Sequence, residues 1–149
     1  MQGKEHLTSR NVVIQIALGT TLMKVELRDR IGVAARRIAQ NYQKALKEVE
    51  EVKTRINDLE LTVIDSGSAN KSRLNSALDM LIQLTDSVIF ESGRAWDDYE
   101  KLEHDCDADG HESSELNGLR ELCKKTEEFA TDLLCYSLAH FRRKGASKS

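Results

Sequence analysis

The residues best equipped for chemistry stand together at His104-Asp105-Cys106-Asp107-Ala108-Asp109-Gly110-His111-Glu112. Carboxylates at alternate positions followed by a glycine can converge on a hard cation when the chain turns tightly around it. His104, Cys106 and His111 offer a softer donor set, flexible and incomplete. A second cluster closes the chain: His140, Arg142, Arg143, Lys144 and Lys148. Such a run can touch acidic lipid or a nucleic-acid backbone, and it can equally cap a helix C-terminus. No Ser/His/Asp or Cys/His arrangement has supporting context. There is no glycine-rich phosphate loop and no evident pair of catalytic carboxylates. The sequence therefore points away from an enzyme.

The acidic stretch resembles the opening of an EF-hand loop. Asp105, Asp107 and Asp109 take the first, third and fifth positions and Gly110 the sixth, between two helical segments. The resemblance implies calcium held by Asp105, Asp107, Asp109 and Glu115. The sequence departs from the family where the bidentate glutamate belongs. Leu116 holds the twelfth position, Glu115 stands one residue early, and Glu112 replaces the usual aliphatic residue at the eighth. An acidic, solvated helix–helix connection accounts for the same residues. The stretch from His140 to Ser147 loosely resembles the phosphorylated-histidine motif of phosphotransfer helical bundles, with a basic residue three after the histidine. Its glycine, Gly145, comes one residue late, and the motif lies at the chain end. A basic helix end is the simpler reading.

The elements that must position these residues are helices. Ile31, Ala35, Ile38, Tyr42, Ala45, Val49, Val52, Ile56, Leu59 and Val63 follow one another in steps of four and three. That is the period of a helix holding one seam against a partner. Leu74, Leu78, Leu81, Thr85, Val88, Ser92, Ala95, Tyr99 and Leu102 repeat it. Folded back antiparallel across the break at residues 65–70, the two series match layer by layer. Val63 meets Leu74, Ile56 meets Leu81, and Ala35 meets Leu102. Tyr42 faces Ala95 and Ala45 faces Ser92, so large opposes small. Gly67 is placed to end the first helix. A third helix begins near Ser114 with Glu115 in its first turn and ends at Gly145. Its stripe is Leu116, Leu119, Cys123, Thr126, Ala130, Leu133 and Ser137, widened by Leu122, Phe129, Leu134, Leu138 and Phe141. Trp96, beside Tyr99, reads as a core or helix-junction residue.

The N-terminal segment is harder to place. Val12, Val13, Ile16, Thr20, Met23 and Leu27 share a helical face, while Val12 to Leu18 also alternates as a strand would. Helix is the better reading because everything after it is helical. Extending the main seam backward lands on Arg28 and Lys24, a phase slip by which 11–29 either presents a different face or is a separate helix ending near Asp29. The expectation is an all-α single domain. It is an antiparallel three-helix bundle with a long coiled-coil-like hairpin (about residues 31–65, 71–103 and 114–143), an N-terminal helix over about 11–29, and flexible ends at 1–8 and 145–149.

Composition agrees. The 149 residues contain no proline, 32% charged residues and 5% aromatics, a bias toward long helices. A net charge of −3 supplies no field for nucleic acid. Three cysteines without framework spacing suit a reducing, cytoplasmic setting. The apolar run at 12–18 is too short to span a bilayer. The functional expectation is a non-enzymatic protein–protein interaction module, an adaptor or complex subunit, with a second copy of itself among the candidate partners. Its expected docking residues are Val12, Ile16, Met23, Leu27, Ala34, Ala39 and Leu46, left over once the hairpin has closed. Two alternatives remain: a membrane-surface protein using segment 11–27 with Arg142, Arg143 and Lys144, and a calcium-responsive bundle. No cofactor other than that calcium is expected.

Overall fold

The computed structural model of the chain describes the backbone of residues 2–66, 68–108 and 114–146, and the side chains of 25–62, 70–108 and 114–141. It is all-helical over these residues: α1 Gln2–Ser66, α2 Ser68–Ala108 and α3 Ser114–Ala146. All three helices pack against one another. With no proline to break a backbone hydrogen bond, each runs without interruption.

Cross-helix pairs fix the directions. Arg30 and Asp105 bond at 2.8 Å, Arg37 pairs with Asp98, and Asn41 donates to Glu91 at 3.2 Å. Numbers rise on α1 as they fall on α2, so the two form an antiparallel hairpin. On α3, Glu115 meets Arg28 at 3.4 Å and His140 meets Glu60 at 3.1 Å, so α3 runs parallel to α1. The most exposed of these pairs contribute little each. They report the register rather than set it.

Burial sets it. One core gathers Leu27, Ile31, Ala34 and Ile38 with Ala95, Tyr99, Leu102, Cys106, Leu119 and Cys123. The other gathers Val49, Val52 and Ile56 with Ala77, Leu78, Leu81, Val88, Ala130 and Leu133. Expected layer partners share a core: Ile56 with Leu81, Leu59 with Leu78, Ala35 with Leu102. Between the two cores the seam carries small or polar residues, among them Ala45, Ser92 and Thr126. A cleft of about 170 Å³ opens there, lined in part by Asn41, Tyr42, Ala45, Val88, Thr126 and Phe129.

Three expectations are corrected. No separate helix ends near Asp29: α1 passes through Asp29 and Arg30 unbroken, because Leu27, only 4% exposed, carries the buried seam one step further back from Ile31. The second helix runs beyond residue 103 to Ala108. Gly145 does not stop the third, which reaches Ala146; an open helix end tolerates one glycine. Val63 and Gly67 lie outside the residues whose side chains are described.

Replacing Ile56, which is fully buried, with alanine should destabilise the chain by about 2–5 kcal/mol in urea unfolding. Leu61→Ala, at a position 69% exposed, should stay within about 0.5 kcal/mol.

Candidate interaction surface

On α2 the buried positions Leu78, Leu81, Thr85 and Val88 form the seam, and Ile82 and Ile89 follow on the flank nearest α3. On α3 the seam is Ala130, Leu133, Ser137 and His140; Leu134 and Phe141, a heptad apart, lie on the flank nearest α2, and Leu138 stands between them in level and further out toward solvent. Ile82 and Phe141 border one small hollow of about 10 Å³ with Leu78, Leu81, Ser137 and His140. Ile89 stands a heptad from Ile82, and Leu134 a heptad from Phe141. In an antiparallel pair they therefore share a level. The result is an apolar strip along the outer α2–α3 groove. Ile89 is 41% exposed, Leu134 40%, Leu138 49% and Phe141 46%.

A hydroxyl pair positions the strip. Thr85 Oγ1 donates to the Leu81 carbonyl at 2.7 Å and lies 2.6 Å from Ser137 Oγ, with both residues buried. The Thr85 hydrogen is engaged by Leu81, so Ser137 is the donor between them. Small side chains here bring α2 and α3 close. Further along, Trp96 Nε1 donates to Glu127 at 2.9 Å and its ring meets Tyr99 edge-on at 5.6 Å. Cys123 Sγ donates to the Ala95 carbonyl at 3.5 Å. On the α1 side, Lys53 sits over the Tyr136 ring, and Tyr136 stacks edgewise on His140.

Two groups hold their protons tightly. A hydrogen bond to the Glu103 carboxylate, with burial behind it, pushes Tyr99 up to about 12. Burial, aided by the Glu127 carboxylate, pushes the Cys123 thiol up to about 11. A thiol held in that state is a poor nucleophile. Cys135 is exposed, whereas Cys106 and Cys123 are buried.

The residues singled out in the sequence are dispersed. Leu27 and Ala34, expected to dock a partner, are buried in the first core, 4% and 7% exposed, and cover Ala95, Tyr99 and Leu102 instead. Ala39 and Leu46 are half-buried on α1. Val12, Ile16 and Met23 lie outside the described side chains, as do Arg142, Arg143 and Lys144.

Three of the four expected calcium positions are described, and all three lie on helices. Asp105 and Asp107 both lie within α2, two residues apart, and therefore point to different sides of the helix. Asp105 is held by Arg30, and Glu115 by Arg28. Asp109 is outside the described residues. Among the described residues no group of three or more His, Cys, Asp or Glu side chains is arranged to hold a metal ion. Among them, too, no helix is long and apolar enough to cross a membrane. In the 170 Å³ cleft, Lys44 faces Glu48 at 3.9 Å and Asn41 binds Glu91, so its polar groups partner one another.

Set against known protein families, curated proteins and solved structures, the chain matches none.

Sequence reasoning counted Leu134, Leu138 and Phe141 as width of the third helix's buried stripe, and passed over Ile82 and Ile89. The signal was there: two apolar series, spaced four and three on α3 and seven on α2, each one position beyond a seam already complete.

Replacing Thr85 with valine keeps the shape but leaves Ser137 without its acceptor. A loss of about 1–2 kcal/mol is expected, and Ser137→Ala added to it should cost less than the sum of the two single losses. Tyr99 and Cys123 are both raised above their ordinary values of 10.0 and 9.0. Their contribution is complete below about pH 9 and is lost as pH climbs toward 12. Urea midpoints should fall across that interval, and less steeply in a Tyr99→Phe, Cys123→Ala double variant.

Proposed function

We propose that the chain is a non-enzymatic helical protein–protein interaction module, serving as an adaptor or a subunit of a complex. The observation that carries this reading is the apolar strip of Ile82, Ile89, Leu134, Leu138 and Phe141 along the α2–α3 groove, substantially exposed at four of its five positions. Apolar side chains aligned on two neighbouring helices are what an amphipathic helix of a partner packs against. The hydroxyl pair beneath them keeps the groove's two walls at a fixed spacing, so the surface is preorganised.

An intracellular, reducing setting suits three cysteines that form no disulfide. Calcium regulation through Asp105, Asp107, Asp109 and Glu115 is the weaker reading, because two of those carboxylates already neutralise arginines of α1.

Site-directed photo-cross-linking tests the proposal. A photoreactive residue in place of Leu138, in the full chain inside its own cells, should yield a protein adduct. The same residue in place of Val33, 58% exposed but on α1 away from the strip, should not. Failure to cross-link from Leu138, Leu134 and Ile89 alike would count against a docking role for this face.

A further inference from the structure

We propose that the bundle opens in two units that part at the level between its two cores, with Ser92-Gly93 as the joint in α2, so that one core can loosen while the other stays packed. The first argument is the gap in the seam. Buried apolar layers end at Ile38, Ala95 and Cys123 on one side and resume at Val49, Val88 and Ala130 on the other. Between them α2 supplies Ser92 and α3 supplies Thr126, both buried. Thr126 Oγ1 donates to the Leu122 carbonyl at 2.9 Å, so its hydrogen is engaged within α3. Asn41 meets Glu91 at this level, and the Tyr42 and Phe129 rings meet edge-on, but these four border the 170 Å³ cleft rather than fill it. Neighbouring layers of a bundle are coupled by interdigitated apolar side chains. A level poor in them is where a native protein divides into units that open separately.

The second argument is the backbone of α2 at the same level. Ser92-Gly93 lies in the interior of a 41-residue helix. Glycine there weakens a helix relative to alanine, and Gly/Ser pairs are among the places where long helices bend. Packing does not call for this glycine, because a Cβ at position 93 would meet nothing within 4 Å. Gly32 and Gly118 are equally open, but they stand beside Ile31 and Leu119, within the first core. Of the three, Gly93 alone lies at the gap. The strip of Ile82, Ile89, Leu134, Leu138 and Phe141 stands beside the second core, next to Leu81, Val88 and Leu133. Loosening of the first core therefore leaves that face intact, and the inference holds whether or not a partner docks there.

Native-state hydrogen exchange followed by NMR on the full chain tests this. Ile31→Val and Ile56→Val each trim one buried side chain, 1% and 0% exposed, and are mild enough to keep the fold. Ile31→Val should speed the slow amides around the first core, on all three helices, by ~2–10-fold and leave those around the second unchanged. Ile56→Val should do the reverse. Gly93→Ala should slow the amides of residues 91–94 by ~5-fold, and Gly32→Ala should leave them as they are.

If both isoleucine variants speed the slow amides of the two cores alike, the bundle opens as one and the proposal is overturned. An effect confined to the substituted helical turn overturns it too, because neither core is then a cooperative unit. If one variant acts on its own core and the other on both, the cores are still separate and the result adds the order in which they open. Amides 91–94 that respond to Gly32→Ala as much as to Gly93→Ala, or to neither, overturn the joint at Ser92-Gly93.

Discussion

Everything in this molecule depends on covering one long apolar seam. An isolated helix in water is marginal, and most helical stability comes from burying one face. α1 is 65 residues long, α2 is 41 and α3 is 33. The shorter helices fold back along α1 and cover its seam from Leu27 to Ile56. That coverage accounts for their lengths. α2 turns back opposite the end of α1, and α3 begins where Arg28 can meet Glu115. The ion pairs lie outside the cores and mark a register that burial has already chosen.

The hairpin was legible because its signal is redundant. Ile31 to Val63 repeats without a miss, and a mistake at one layer would have been exposed by the next. The N-terminal boundary was misread for a reason of the same kind. A strict alternation of four and three has a period of 3.5, whereas a straight helix has 3.6, so a long seam must take an occasional extra step of four. That step falls at Leu27–Ile31, next to Ile31–Ala35, and Ala34 shares the burial. Reading the alternation rigidly placed Arg28 on the seam and produced a slip that the helix does not have.

The acidic stretch shows the opposite difficulty. Asp105, Asp107 and Asp109 alternate in sequence, and alternation brings carboxylates together only where the backbone is a loop. In a helix it separates them by more than half a turn. Which of the two applies depends on where α2 ends, and nothing at 104–108 marks a stop: no proline, no glycine, and Cys106 buried at 1% exposure holding the last turn to the core. Tertiary burial of one cysteine thus decides the geometry of its neighbours. No local pattern carries that information.

The strip on α2 and α3 follows from what the seam between them is made of. Thr85, Ser92, Thr126 and Ser137 occupy buried positions where leucine would be the ordinary choice. Their small volumes let the Thr85–Ser137 bond close across the seam, beside the buried Leu81 and Leu133. Ile89, Leu134, Leu138 and Phe141 each stand one position beyond that seam, on the rim and half in water. For a chain acting alone this is the less favourable arrangement, since exchanging seam and rim residues would bury more apolar area and remove the polar pair. The arrangement is favourable once something apolar covers the rim. On the interaction reading proposed above, the hydroxyls would fix the spacing of two walls and the large side chains on those walls would make the contact.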